Sequence, residues 1–496
     1  MLLLGYDVGS SSIKASIVDS NTGATVGVAQ HPEQELGMIS HQAGWAEQDP
    51  AMWWDCICKA TQKLLQQTGA KPEDIGAIGI AYQMHGLVVV DDEQEVLRPS
   101  IIWCDSRAVS IGDEAFDAIG AEQSLRHLLN SPGNFTASKL KWVKENEPEL
   151  YDKIAHIMLP GDYIAMKLTG EVNTTISGLS EGILWDFKEN DVAQLVLDQY
   201  GIDRSLIPTI VPTISVQGKL TADAAAATGL RPGIPVTYRA GDQPNNALAL
   251  NVFEPGEVAG TGGTSGVIYA VVDQAVYDKY SRVNGFAHVN YTKEKPRIGI
   301  LLCINGAGIQ YSWLKHQVAD PTLSYPDLEA KAAGIPIGAD GLSILPFGNG
   351  AERMLRNRDL GAHIDHLQFN RHQQAHLIRA ALEGVAFSFV YGVDIIKEMG
   401  LNMDVMRVGN DNMFQSKIFA ETIATLLGSR IEVMETTGAS GAARAAGVAV
   451  GAFSSLQEGL GQLQLAHVYE PGDQLAAYQA AYGRWKESLE GRLFNG

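Results

Sequence analysis

Twice in this chain a short apolar run enters a turn rich in glycine and hydroxyl residues, and a second apolar run leaves it. The first unit is residues 2–6, then Asp7-Val8-Gly9-Ser10-Ser11-Ser12, then residues 13–18. The second, in the other half of the chain, is residues 257–260, then Thr261-Gly262-Gly263-Thr264-Ser265, then residues 266–272. Two β runs joined by Gly and Ser read as a hairpin. Such a turn presents consecutive amides and hydroxyls without Cβ obstruction, which suits phosphate oxygens. Either turn alone reads more readily as an ordinary hairpin. A pair, one in each half and with Asp7 ahead of the first, moves the reading toward nucleotide binding. Asp7 could hold a hydrated Mg2+, an ion that keeps several waters and uses few carboxylates.

Between these units β runs alternate with helical periodicity. Residues 51–67 carry Trp54, Ile57, Cys58, Leu64 and Leu65 at helical spacing, and residues 75–80 and 87–90 read as strands. Residues 138–145 and 147–158 read as helices, the second with Pro148 in its first turn. Prolines at 208, 212, 232 and 235 mark a loop-rich stretch before a strand over 236–239. The mixture predicts an α/β protein. The restart of the strand–turn–strand pattern sets a domain boundary near residue 250, dividing the chain into 1–248 and 249–496.

Lys plus Arg number 37 against 57 Asp plus Glu, a net charge of −20, which disfavours nucleic acid or an anionic membrane as partner because both are polyanions. A nucleotide stays open to such a chain, bound by backbone amides and a metal. Four cysteines make no disulfide framework and suit a reducing compartment. The N-terminal leucines lack a basic flank, and no apolar run reaches the roughly 18 residues of a membrane span. The chain reads as a soluble cytoplasmic protein.

No Walker A loop occurs: Gly218-Lys219 lacks the upstream glycine and the following Ser or Thr. Asp242 stands in Gly241-Asp242-Gln243-Pro244, after an apolar strand. An aspartate there serves as a helix cap or turn former, and it is also where open α/β sheets put ligand-binding groups. Phosphoryl transfer to an alcohol needs one carboxylate to orient the hydroxyl and take its proton, with Mg2+ and amides on the phosphates. Asp242 could fill the first role. His85, in Tyr82-Gln83-Met84-His85-Gly86, follows another apolar strand and reads as a core histidine or as a ligand. The 12 histidines show no metal-ligand spacing, and Trp45, Trp53 and Trp54 read as packing residues.

Taken together these motifs resemble the FGGY carbohydrate kinases, a family with the actin/Hsp70/hexokinase ATPase fold, and within it the branch acting on xylulose. The carriers run in family order from Asp7 to Lys14, through Trp45-Ala46-Glu47-Gln48-Asp49-Pro50 with Trp53-Trp54, to Gln83-Met84-His85-Gly86. Arg98 to Arg107, Leu159-Pro160-Gly161-Asp162-Tyr163, Leu168-Thr169-Gly170, Gly241-Asp242 and Gly263-Thr264-Ser265-Gly266 follow. Residues 134–146 resemble the first family signature, with Asn134 in place of the usual glycine or aromatic. Residues 362–383 resemble the second, with His366 where its internal glycine stands. The adenosine stretch departs further. The family's Gly-Gly-Gly-Ala-x-Ser is here Gly409-Asn410-Asp411-Asn412, with a single glycine, while Ala420-Glu421 and Gly438 to Ala443 still fit. A Gly-Glu-Arg-Thr-Pro loop reads Gly350-Ala351-Glu352-Arg353-Met354.

The resemblance implies two ribonuclease-H-like domains around a central cleft, with sugar deep in it and Mg·ATP above. It implies an ATP-dependent kinase for the terminal hydroxyl of a ketopentose, D-xylulose to D-xylulose 5-phosphate. Ribulose, L-xylulose, another polyol or glycerol are the sibling alternatives, and a non-enzymatic protein of the actin or Hsp70 kind is a distant one. Asp242 would be the general base, and Met84, His85, Asp242 and Gln243 would bind the sugar. Ser10, Ser11, Ser12, Lys14, Gly263, Thr264 and Ser265 would hold the phosphates. Gly306, Gln310, Gly409 and Asn412 would contact the rest of the nucleotide, and Asp7 would reach Mg2+ through water. Sugar and ATP are then the partners, nucleic acid and membrane are not, and a homodimer is an open assembly.

Overall fold

The computed structural model describes residues 1–461 and 463–495. Strands β1 (Leu2–Val8) and β2 (Ile13–Asp19) form the first hairpin, and β3 (Thr25–His31) extends it antiparallel to β2. Helix α1 (Pro50–Thr68) follows, matching the periodicity over 51–67. The Asp49 side chain accepts from the Ala51 amide at its start, and Gly69, at φ 67°, ends it. The chain then returns as β4 (Ile75–Tyr82), parallel to β1. Strands β5 (Ile214–Lys219) and β6 (Pro235–Gly241) pair antiparallel, and β6 lies parallel to β4. The sheet order is β3-β2-β1-β4-β6-β5.

The second sheet repeats this plan. Strands β7 (Glu257–Gly262) and β8 (Gly266–Val272) form the second hairpin. Strands β9 (Asn284–Ala287) and β10 (Ile298–Ile304) extend it on the β8 side, all antiparallel. On the other side β11 (Val405–Gly409) and β12 (Ile431–Met434) run parallel to β7, and β13 (Leu465–Tyr469) closes the edge antiparallel. The echo between the two halves is thus structural: each sheet sets a Gly/Ser hairpin beside two parallel strands and an antiparallel edge strand, with six strands in the first and seven in the second.

Four further helices carry or adjoin the candidate residues: α2 (Thr136–Asn146), α3 (Ile176–Glu181), α4 (Asp242–Ala249) and α5 (Gly308–Trp313). Helix α6 (Gln374–Glu398) is buried along most of its length and backs the second sheet. Helix α7 (Gly438–Ala449) comes from the second half but covers β1, β4 and β6 of the first sheet. Gly5 and Gly79 permit this approach. A Cβ on Gly5 would lie 1.9 Å from the Ala439 carbonyl oxygen, and one on Gly79 2.1 Å from that of Ala442. The apolar layer so formed joins Leu3, Ala77, Ala81, Ala240 and Leu248 to Ala442, Ala445 and Ala446. No helix among the described residues is long and apolar enough to cross a membrane.

Two expectations are corrected. Residues 147–158 are not one helix: a single turn, Pro148–Tyr151, is followed by a strand, His156–Met158, which pairs antiparallel with Val88–Val90. Tertiary pairing overrides the helical pattern there. Nor is 208–235 mainly loop. It holds Thr209–Val211, β5 and the helix Ala222–Thr228, each short enough to be hidden by its flanking prolines and glycines.

Candidate active site

Parallel register gathers the sequence candidates of the first half at one sheet end. Val8 of β1 is level with Tyr82 of β4, and Tyr82 is level with Gly241 of β6. The turn Gly9 to Ser12, the turn Gln83 to Gly86 and Asp242 therefore leave three adjacent parallel strands side by side. That is the carboxyl edge where open α/β sheets bind ligands. In the second sheet Gly260 of β7 is level with Val408 of β11, so the second hairpin turn and Gly409 share an edge likewise.

In the first turn the Gly9 amide donates to the Ser12 carbonyl at 3.2 Å. The Gln48 side-chain amide donates to the Ser10 carbonyl at 2.6 Å, and the Trp103 indole N–H donates to Ser10 Oγ at 3.3 Å. Ser11 is exposed and Ser12 half-exposed, and Lys14 lies opposite Asp7 across the hairpin. In the second turn Gly263 and Ser265 are half-exposed and Thr264 is exposed. The first amides of α5 dock on it, Gly308 to the Gly263 carbonyl at 3.1 Å and Ile309 to that of Thr264 at 3.0 Å. The Gly306 and Asn305 amides donate to the Glu352 carboxylate at 3.0 and 2.9 Å, and burial raises that carboxyl to about 7. Gln310 is buried, and its side-chain carbonyl has no hydrogen-bond partner among the described residues.

Asp242 is the first residue of α4, with Gly241 as its N-cap. Burial, and next the charge of Asp7, raise its carboxyl to about 7, while hydrogen bonding from Gln243 opposes the rise. Asp7 is raised by burial too, with Lys14 pulling the other way. A Cβ on Gly438, at the start of α7, would lie 2.8 Å from Asp7 Oδ2 and 2.9 Å from Asn246 Oδ1. Asp7 and Asn246 thus meet where α7 begins.

Met84 and His85 form a wall beside them. Met84 is buried, and its Cγ lies 2.6 Å from where a Gly241 Cβ would stand. His85 holds a left-handed backbone at φ 63°, with its ring edge-on to Phe135 at 4.7 Å and tilted on Phe286 at 5.4 Å. Its Nδ1 faces the Glu181 carbonyl at 2.9 Å, an acceptor only, so Nδ1 carries the proton and Nε2 keeps its lone pair. Burial lowers its pKa to about 3, which keeps the ring neutral. Its side chain stays 18% accessible.

The adenosine-side stretch is built on the surface. Asn410 donates from its backbone to the Met434 carbonyl at 3.1 Å and from its side chain to Glu435 at 2.5 Å. Asp411 is extended, and Asn412 takes φ 52° at the head of a short turn. Asn410, Asp411 and Asn412 are all exposed, so the missing glycines put polar side chains, not bare backbone, at this edge. His366, at the position of the signature's glycine, also adopts a left-handed φ of 61°.

Three residues near the sugar-side wall escaped the sequence reading of the site. Glu181 gave no motif, Phe286 arrives from the second sheet, and Lys139 lay unremarked inside the first signature. Lys139 is fully buried, and its Nζ donates to the His85 carbonyl at 2.8 Å and the Ile102 carbonyl at 3.0 Å. Away from the cleft, His31, Asp55 and Cys56 bring their ligand atoms within 4.8 Å of one another. Asp55 is held there by Lys59 at 2.6 Å, and burial raises the Cys56 thiol, so the trio makes a poor metal centre.

The family model for the FGGY carbohydrate kinases' N-terminal domain matches residues 2–249, and that for their C-terminal domain matches residues 258–450. A xylulose kinase of Bacillus subtilis (strain 168) is 28% identical, with 98% of this chain and 96% of that one aligned. The L-xylulose/3-keto-L-gulonate kinase of Escherichia coli (strain K12) is 30% identical, with 92% and 89% aligned. The crystal structure of xylulose kinase from Rhodospirillum rubrum superposes over 100% of both chains with a TM-score of 0.89 at 27% identity. Plasmodium falciparum glycerol kinase with ADP shares the fold, at a TM-score of 0.88 and 21% identity. With both family domains matched in order, over residues 2–249 and 258–450, the chain belongs to the FGGY family of carbohydrate kinases.

Proposed function

We propose that this chain is an ATP-dependent ketopentose kinase that converts D-xylulose to D-xylulose 5-phosphate. The observation that carries the reading is the register that lines up Asp242, the Met84–His85 wall and the first Gly/Ser turn at one sheet end. A hydroxyl placed against Asp242 meets a carboxylate raised to about 7, a proton affinity suited to a general base at neutral pH. The neutral His85 offers Nε2 as an acceptor to a second hydroxyl, and Gln243 flanks the base. Leaving such a buried acceptor unmatched costs about 1–3 kcal/mol, which is how a polyol site selects. The turns at Ser10 to Ser12 and Gly263 to Ser265 come from different lobes, so closing the cleft would bring both onto the phosphates and exclude water.

Asp7 beside Asp242 fits a divalent cation, because the charge of Asp7 raises the affinity of Asp242 for a positive partner. Asp7 would hold Mg2+ through water. The ion supplies charge neutralisation at the transferring phosphoryl group. Lys14, Gly306, Gln310, Gly409 and Asn412 complete the proposed nucleotide contacts. The lobes are taken as 1–248 and 249–496, with α7 of the second covering the first sheet. Cytoplasmic residence agrees with four free thiols. A homodimer is left open.

The xylulose kinases among the relatives support D-xylulose. L-xylulose is the second reading, favoured by the 30% identity to the L-xylulose/3-keto-L-gulonate kinase. A sugar-stimulated ADP-release assay over D-xylulose, L-xylulose, ribulose, D-gluconate and glycerol decides between them. The proposal expects D-xylulose to give the highest kcat/KM. A higher value for any other sugar would replace it, and no stimulation by any sugar would defeat it.

A further inference from the structure

His85 is gripped from three sides by two buried ionisable residues outside the assigned site. Its backbone N–H donates to Glu181 Oε2 at 3.2 Å, and its ring Nδ1–H donates to the Glu181 carbonyl at 2.9 Å. Its carbonyl accepts from Lys139 Nζ at 2.8 Å. Glu181, the last residue of α3, is 1% accessible, and Lys139 on α2 is 0% accessible. A left-handed backbone is uncommon for a histidine and costs of order 1–3 kcal/mol unless its surroundings over-determine it. Here they do, at both the amide and the carbonyl of the same residue.

The same two side chains reach the neighbouring loops. A Cβ on Gly241 would lie 3.2 Å from both Glu181 carboxyl oxygens, so Glu181 underlies the turn that delivers Asp242. Lys139 Nζ also donates to the Ile102 carbonyl at 3.0 Å, next to Trp103, whose indole bonds to Ser10. Resting on the kinase reading above, we propose that Glu181 and Lys139 are positioning residues. Together they clamp His85 in its left-handed, Nδ1–H form, so that its Nε2 lone pair always faces the sugar. Neither touches the substrate. Each acts through His85, and a sugar hydroxyl must donate to that nitrogen to be accepted.

The variants are Glu181→Ala and Lys139→Met, which remove one arm of the clamp each, and Glu181→Gln, which keeps an acceptor for the His85 amide. Kinetics with D-xylulose and ATP should give a sugar KM raised about tenfold or more in the first two, with ATP KM within about twofold of wild type. Glu181→Gln should stay near wild type in both. The imidazole 15N spectrum, with the His85 signal assigned by its loss in His85→Gln, should show a fixed Nδ1–H tautomer in wild type and Glu181→Gln. Glu181→Ala keeps the backbone carbonyl that accepts from Nδ1–H, so the tautomer should hold there while the His85 signals shift and broaden, as they should in Lys139→Met. An unchanged sugar KM with unchanged His85 signals in those two, or a sugar KM raised as much by Glu181→Gln as by Glu181→Ala, would overturn the clamp. If the alanine and methionine variants do not fold, the wild-type spectrum decides: an Nε2–H tautomer overturns the proposal and a fixed Nδ1–H tautomer supports it. A wild type that turns over no sugar defeats the kinase reading alone, since the spectrum reports the clamp without turnover.

Discussion

Around His85 the polar contacts come from Glu181 and Lys139, both buried, whereas around Gly409 the polar side chains of Asn410, Asp411 and Asn412 stand in solvent. The first arrangement sets one ring nitrogen toward the cleft and leaves it little freedom. The second offers a ligand flexible surface groups that can rearrange at small cost. On the proposed function, the sugar side is built to discriminate and the purine side to tolerate. The two phosphate turns between them share one plan: strand, Gly/Ser turn, strand.

The largest effect expected is on the base that the sugar side presents. Asp242→Asn should lower kcat by roughly 10²–10⁴, the general-base range, with ATP KM little changed. Steady-state kinetics with saturating ATP measure it, and near-normal turnover would remove Asp242 from the chemistry.

Next comes the reader of the sugar. His85→Ala should raise the sugar KM about tenfold or more and leave the ATP KM alone, because its partner is a hydroxyl of one substrate only. If His85 merely filled the core, the melting temperature would fall and both KM values would hold. The pair of measurements tells these apart.

On the purine side the expected difference is small. Phosphate contacts are common to ATP and GTP, and Asn410 to Asn412 replace the close backbone approach that glycines allow. The ratio of kcat/KM for ATP over GTP should lie below about 100-fold, or ~2.7 kcal/mol. A larger ratio would show a selective purine pocket and erase the contrast with the sugar side.

The smallest effect is on stability. The folded-state carboxyl of Asp242, about 7, lies above its ordinary value, so the folded chain holds a proton there that the unfolded chain has lost. Stability from this group is full below the ordinary carboxylate range and is lost as pH rises through about 7. Asp242→Asn cannot lose that proton. Its melting temperature should fall less than wild type's between pH 5.5 and 8, which differential scanning measures. An equal fall in both would place the titration elsewhere.

How much of this was legible depended on the reach of each signal. Asp242, the Met84-His85 pair and the two hairpin turns announce themselves locally, through glycines, hydroxyls and strand ends, and parallel register does the rest. Glu181 and Lys139 carry no local signal, since their meaning lies in contacts to His85 that span 96 and 54 residues of sequence. Phe286 is further still, entering the wall from an edge strand of the other sheet. The false helix over 147–158 failed for the same reason. Its strand exists because Val88–Val90 lies beside it, which no window of that length contains. The left-handed His366 shows the converse: a residue standing where the family signature has its glycine keeps a left-handed backbone without it.

Identification of the product tests the central claim most directly. With D-xylulose, ATP and Mg2+, 31P and 13C spectra should show one phosphomonoester, its phosphorus coupled to C5, formed in step with ADP. Inorganic phosphate alone, or an ester on another carbon, would contradict the geometry assigned to Asp242.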